Sequence, residues 1–300
     1  MPIKTLYNVT KKLGCDVLLN EPLFKHSSFK IGGPADIFIK PYNILQLKEI
    51  IKNCNNLQIP YNVIGNGTNI IFKDNGFKGA IINISSKMED IQIENDYEIT
   101  ASAGTTLAKL AYFAMEHSLT GLEFCWGIPG NVGGAVFMNA GAYNREIKDV
   151  IINSYYIDNN CNEGFLTKNE MQLGYRYSIY FDNKFVITSA KFKLTPATKQ
   201  DIKLKMDEFM AKRKLKQPLE FPNAGSIFKR PKGNYAGTLI EQCGLKGFSV
   251  GGAEVSKKHA GFIINKGTAT AEDVIKLISI IKKTVFEKTG YNLEPEIKII

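Results

Sequence analysis

Cysteine is scarce and poorly placed for cross-linking. The chain has five, Cys15, Cys54, Cys125, Cys161 and Cys243, scattered over 300 residues. The number is odd and no pair is spaced as C-x-x-C, which argues against a disulfide framework and against a zinc site. Long apolar runs are also lacking: none reaches the ~18 residues that a membrane span needs. Residues 1–15 have no apolar core of the signal-peptide kind, so the chain reads as cytoplasmic. Acidic residues are outnumbered, 29 against 38 basic ones, for a net charge of +9. Such a balance suits nucleic acid or a small anionic ligand, or simply reflects lysine enrichment alongside abundant Asn and Ile. No basic arm and no aromatic–basic RNA-binding signature occurs. The densest basic run is Lys212-Arg213-Lys214 with Lys216, so nucleic acid is not the expected partner.

The remaining composition, 44% hydrophobic and 22% charged, is that of an ordinary globular protein, and the length suggests about two domains. Residues 43–55 read as a helix capped by Asn43, with Ile44, Leu47, Ile51 and Cys54 on one face. Residues 60–64, 70–72, 80–84 and 97–103 read as strands, and 106–118 as a helix closed by Gly121. Residues 150–157 and 185–194 read as further strands. From Thr198 to about Lys214 an amphipathic helix points Ile202, Met206, Phe209 and Met210 inward. Pro196, just before it, marks a boundary near residue 197. Thr270 caps a last helix with Val274, Leu277, Ile278, Ile281 and Val285 as its buried stripe. Gly290 ends that helix, and residues 293–300 return as a strand. The pattern is mixed α and β, without internal repeats or low-complexity segments.

The most informative stretch is 127–143, Gly-Ile-Pro-Gly-Asn-Val-Gly-Gly-Ala-Val-Phe-Met-Asn-Ala-Gly-Ala-Tyr, with five glycines and no charge. Glycines let a backbone approach a ligand closely, and free N–H groups in such a loop form a concave site for phosphate oxygens. A tight structural turn is the alternative. A second glycine loop, Gly65-Asn66-Gly67-Thr68-Asn69, fails the dinucleotide fingerprint: its third glycine is missing, and a strand rather than a helix follows. A phosphate there would be held by a strand–turn–strand nest. Together, 65–69 and 127–134 could hold the two phosphates of one dinucleotide; a simple β-turn at 65–69 is as plausible. Ser226 sits beside Gly225, just upstream of Lys229 and Arg230. A serine is a poor acid unless its alkoxide is stabilised, for instance by a cation. On a strand near Pro295, Glu296 and Lys298 would share one face and Ile297 and Ile299 the other. Arg176, between Tyr175 and Tyr177, is either stacked and structural or a bidentate carboxylate binder.

In combination and order these segments carry a resemblance. Residues 26–36 (His-Ser-Ser-Phe-Lys-Ile-Gly-Gly-Pro-Ala-Asp), the 65–71 loop, 127–143, Tyr175-Arg176, Ala224-Gly225-Ser226, 239–247 and 293–298 resemble the UDP-N-acetylenolpyruvoylglucosamine reductases, flavoenzymes of peptidoglycan precursor synthesis. The short spacing between Tyr175-Arg176 and Ser226 is similar to the shorter subtype, without a substrate-covering insertion. The resemblance implies an α+β fold. A two-lobed FAD-binding domain of the vanillyl-alcohol-oxidase-like type would occupy residues 1–197 (core about 26–195), and a smaller α+β substrate-binding domain residues 198–300. It implies non-covalent FAD, with NADPH as co-substrate. The cofactor set would be Gly65, Asn66, Gly67, Thr68, Asn69, Gly127, Gly130, Gly133, Gly134, Ala140 and Arg213. Lys216, Lys229 and Tyr175 would bind the UDP-sugar, and no metal is implied. Arg176, Ser226 and Glu296 fall on the catalytic positions. Arg176 would stabilise enolate charge on the substrate carboxylate, Glu296 would hydrogen-bond that carboxylate, and Ser226 would deliver the proton. Two positions depart: Arg230 stands where Asn is frequent, and Lys298 where an arginine is frequent, keeping the charge but losing the planar fork. The expected partners are small molecules only, acting on a monomer. The rivals are an oxidase on the same cofactor fold, and a flavin-free binding module whose charge explains the pI.

Overall fold

The computed structural model describes residues 2–84 and 86–300. In chain order the main elements are α1 (Pro2–Lys12), β1 (Asp16–Pro22), β2 (Pro34–Lys40), α2 (Ile44–Asn56), β3 (Tyr61–Ile64), β4 (Ile70–Ile71), β5 (Phe77–Asn83), β6 (Ile91–Asn95) and β7 (Glu98–Ser102). They continue with α3 (Leu107–Glu116), α4 (Val132–Met138), β8 (Ile151–Ile157), β9 (Glu163–Thr167), β10 (Val186–Lys193), α5 (Lys199–Lys216) and β11 (Asn223–Ser226). The last are α6 (Ala236–Gln242), β12 (Ser249–Val250), β13 (Ala253–Val255), β14 (Phe262–Asn265), α7 (Ala271–Thr289) and β15 (Lys298–Ile299). No helix among the described residues is long and apolar enough to cross a membrane.

The chain divides into two compact units. The first comprises Met1–Leu19, Asp36–Asn66 and Gly79–Lys212; the second comprises Asn20–Ala35, Gly67–Lys78 and Arg213–Ile300. This division is not a single cut at residue 197. Thr195 and Pro196 pair with Thr120 and Leu119 in a short antiparallel ladder. Beyond it, α5 buries Ile202 and Met206 in the first unit's core.

The first unit holds a four-stranded sheet of order β1-β2-β5-β3 and an antiparallel five-stranded sheet of order β9-β8-β10-β7-β6. The β3–β5 pair is parallel, Tyr61 opposite Ala80. Helix α2 forms where expected: the Asn43 side chain accepts the Gln46 N–H, and Leu47, Ile50, Ile51 and Cys54 are buried. Thr106 caps α3 likewise, but α3 ends at His117, with Ser118 at φ 58°; Gly121 follows a short strand and does not close the helix. Helix α1, not expected from the sequence, buries Leu6 and Thr10 and packs Ile3 and Tyr7 against the core.

The second unit packs α6 and α7 with an antiparallel sheet of order β11-β14-β13-β12. The expected α7 stripe, Val274, Leu277, Ile278, Ile281 and Val285, is buried. Thr270 and Asp273 form a capping box, and Gly290 ends the helix at φ 73°. The C-terminal segment is not one strand over 293–300. Only Lys298–Ile299 is a strand, parallel to β4, while Pro295 bridges Phe228. The segment changes partner: Glu296 N–H donates to Ile227 O (2.8 Å), Lys298 N–H to Asn69 O (3.1 Å) and Ile300 N–H to Ile71 O (2.9 Å).

Candidate active site

In the first unit the two glycine loops meet at one side chain, Asn131. Its Oδ1 accepts the Asn66 N–H (2.7 Å) and its Nδ2 donates to Gly104 O (2.6 Å), while Asn66 Nδ2 reaches Pro129 O at 3.4 Å. A Cβ on Gly65 would strike Asn131 Oδ1, so the close approach requires glycine. Buried Asn83 holds the same turn by donating to Gly65 O at 2.7 Å. The second loop is not a loop throughout: Val132–Met138 is helix α4, although two glycines inside it cost helix propensity. Tertiary approach explains Gly133, whose Cβ would lie 2.8 Å from that of Ala103 and whose N–H donates to Ala103 O at 3.0 Å. Gly130 O accepts the Leu107 N–H (3.0 Å), Ile128 N–H returns to Cys125 O around Gly127 (3.0 Å), and Ala140 N–H donates to Ala135 O (2.8 Å).

Beyond α4 the chain turns back. Gly141–Ala142 pairs with Arg145–Glu146, and the two residues between, Tyr143 and Asn144, are left-handed at φ 55° and 61°. Positive φ at both central positions is what a tight hairpin requires. Tyr175 and Arg176 form another tight turn, bridged by Gly174 and Tyr177, with Arg176 at φ 53°. The Arg176 guanidinium lies 5.0 Å from the Tyr175 ring centre, donates to Gly141 O at 3.0 Å and stands 3.8 Å from Glu146. Tyr175 itself is exposed.

In the second unit Gly67 is left-handed at φ 62°, and a Cβ there would strike His26 O. Asn69 Nδ2 donates to Glu296 O at 3.3 Å. Glu296 is backbone-bonded to Ile227, the residue after Ser226, and Ser226 Oγ donates to Phe228 O at 3.2 Å. Asn69, Ser226 and Glu296 thus belong to one ladder, although they are far apart in sequence. Thr68 lies between them and Gly67, half-buried. Lys229 pairs with Glu294 at 2.6 Å, and Arg230 covers the Tyr235 ring at 4.3 Å. Lys216 ends α5 exposed, three residues after half-buried Arg213. Burial holds the half-buried His259 imidazole below its usual range, helped by the positive charges of Lys246 and Lys216.

All five cysteines are free. Burial pushes the Cys54 thiol up to about 12 and Cys125 higher, so neither is a thiolate nucleophile. Among the described residues no group of three or more His, Cys, Asp or Glu is placed to hold a metal ion.

Family models match two parts of the chain: residues 35–160 match an FAD binding domain, and residues 217–300 the C-terminal domain of UDP-N-acetylenolpyruvoylglucosamine reductase. A reductase of that name from Clostridium perfringens is 46% identical over 285 residues, covering 95% of this chain and 93% of that protein. One from Caldanaerobacter subterraneus is 48% identical over 282 residues, covering 94% and 93%. The chain belongs to the UDP-N-acetylenolpyruvoylglucosamine reductase family. As a member it is an FAD-dependent oxidoreductase. The solved reductase from Thermus caldophilus superposes with a TM-score of 0.80 at 32% identity, covering 95% of this chain and 98% of that one. The berberine bridge enzyme of Eschscholzia californica shares part of the fold, with a TM-score of 0.52 at 18% identity, covering 65% of this chain and 44% of that one.

The residues of this reductase suit FAD. Gly134 is exposed although its neighbours on α4 are buried, and a Cβ there would meet no protein atom within 4 Å. That face of the helix backbone is open to a ligand. Sequence reasoning missed Asn131, Asn83, Asn139 and Glu146 as parts of the site. The signal available for the three asparagines was their setting: uncharged amides within or close to glycine-rich or apolar runs, which fold buried only when fully bonded.

Proposed function

We propose that this chain uses NADPH to reduce the enolpyruvyl ether of UDP-N-acetylglucosamine to the D-lactyl ether, giving UDP-N-acetylmuramate. The observation that carries this reading, beside family membership, is the ladder that sets Glu296 against the backbone of Ile227, next to Ser226. When bound between the glycine loops, FAD would supply the two-electron hydride chemistry that links the nicotinamide to the terminal vinyl carbon. Charge then builds on the substrate carboxylate. The Arg176 fork offsets it, as preorganised cations do for developing oxyanions. Glu296, in its protonated form or through a bridging donor, hydrogen-bonds the same carboxylate. The Ser226 hydroxyl gives its proton to the internal carbon, completing addition of H⁻ and H⁺ across the double bond. Such general acid help is worth about 10²- to 10⁴-fold.

Gly65, Asn66, Gly67, Thr68 and Asn69 of one loop, with Gly127, Gly130, Gly133, Gly134 and Ala140 of the other, would line the FAD site; the N–H groups of Asn66, Gly133 and Ala140 are bonded within the protein, so these three serve by close approach rather than as donors. Arg213 contributes from α5. Lys216, Lys229 and Tyr175 hold the UDP-sugar. The FAD-binding part runs to residue 197 and the substrate-binding part from 198, in a cytoplasmic monomer; the cut within α5 is an independent description of packing.

Stopped-flow spectra of Ser226→Ala test the central role. Bleaching of the flavin by NADPH should proceed at the native rate, and recovery by the enolpyruvyl sugar should slow by about 10²-fold or more. Equal slowing of both half-reactions removes Ser226 as proton donor.

A further inference from the structure

We propose that Glu146 is a positioning residue that fixes the Arg176 guanidinium for the substrate carboxylate; this rests on the role given above to Arg176. The guanidinium has two neighbours on a single hairpin. It donates to Gly141 O at 3.0 Å and faces the Glu146 carboxylate at 3.8 Å, and Glu146 is the residue paired with Gly141. Glycine at 141 is needed for this: a Cβ there would come within 2.7 Å of Glu146 Cγ. One carbonyl and one carboxylate thus form a clamp.

The clamp is itself held. Glu146 accepts from Lys148 Nζ (2.7 Å) and Asn139 Nδ2 (3.2 Å), and takes part in a capping box with Asp149. Asn139 is fully buried and left-handed at φ 43°. Its Nδ2 also donates to Gly174 O (2.7 Å), in the turn that carries Arg176, and its Oδ1 accepts the Lys148 N–H (2.9 Å). The hairpin tip is pinned from the other side. Tyr143 stacks on Phe209 at 4.2 Å and donates its hydroxyl proton to Phe209 O at 2.8 Å. Left-handed non-glycine residues at 139, 143, 144 and 176 converge on this one place, a cost that a fold bears where geometry must be held. An arginine side chain loses rotamer freedom when it is fixed. A clamp that fixes it beforehand removes that cost from the reaction, and a misplacement of about 1 Å can cost 10²-fold in rate.

Glu146→Gln keeps shape and the capping acceptor but loses the charge facing Arg176. In the holoenzyme, flavin content, melting temperature and flavin bleaching by NADPH should stay native, while reoxidation by the enolpyruvyl sugar slows between about 10- and 10²-fold. Arg176→Lys should slow the same half-reaction, and the double variant should be no slower than Arg176→Lys alone, since Glu146 acts through Arg176. Native reoxidation in Glu146→Gln beside a slow Arg176→Lys overturns the positioning role and leaves that of Arg176 standing. So does additive slowing, or a fall in flavin content or melting temperature. Native reoxidation in Arg176→Lys overturns the reading of Arg176 itself.

Discussion

Gly133 and Gly134 are adjacent on α4 and answer to different demands. A Cβ on Gly133 would press on Ala103 at 2.8 Å, whereas one on Gly134 would meet open space. Gly134→Ala should therefore stabilise the flavin-free protein, by about 0.5–1 kcal/mol from helix propensity, and yet lower the flavin retained per chain. Gly133→Ala should lose stability, by about 1 kcal/mol or more from overpacking. Urea unfolding of the flavin-stripped proteins, beside the visible flavin absorbance of the purified ones as a measure of flavin bound per chain, separates the two. If Gly134→Ala retains full flavin, the open space is not where the cofactor approaches. The glycine loops stood out by residue type, whereas Arg176, Ser226, Glu296, Arg213 and Lys216 were expected only through the resemblance of the combined motifs. Asn131 did not stand out, because its role depends on Asn66 and Gly104 coming to it from elsewhere in the chain.

Helix α7 shows how far local rules reach within an element. Its capping Thr270, terminal Gly290 and buried stripe all follow from spacing. Its second cap does not: Asp74, from a loop far upstream, accepts the Ala271 and Glu272 N–H groups at 2.8 and 3.0 Å. A carboxylate at a helix N-terminus is favoured by both hydrogen bonding and the helix dipole. Asp74→Ala should cost about 1 kcal/mol of unfolding free energy, read by urea denaturation. No change would mean that solvent replaces it. The C-terminal segment is the opposite case. Its alternation predicted one strand over 293–300, but partner exchange after Glu296, from residues 227–229 to residues 69–71, broke the ladder.

For the whole molecule, a net charge of +9 is compatible with two anionic substrates and specifies neither. Burial and two lysines hold His259 below its ordinary pKa of 6.5, and its Nδ1 accepts the Gly261 N–H at 3.1 Å. The folded state therefore favours the neutral ring more than the unfolded chain does. The contribution of His259 to stability is complete above the unfolded pKa and is lost as pH falls from 6.5 through the lower folded value. Melting temperatures taken from about pH 7.5 down to about 5.5 should decline less in His259→Gln than in the native protein. Parallel curves would mean that the ring is wet enough to titrate normally.

The sequence by itself determined the mixed α and β class, the helices α2, α3 and α7, the caps and apolar faces of α2 and α7, and the glycine loops; the roles of the charged residues rested on the resemblance of the whole set of motifs. Periodicity, caps and glycine chemistry act over a few residues and can be read within a window of that size. Only the tertiary structure decided that half of a glycine-rich run is a helix, that α5 through Lys212 packs with what precedes it, and that Asn131 and the Gly141–Glu146 hairpin organise the loops around them. Those outcomes depend on which distant backbone satisfies each buried N–H and C=O group, and that is settled by the packed whole.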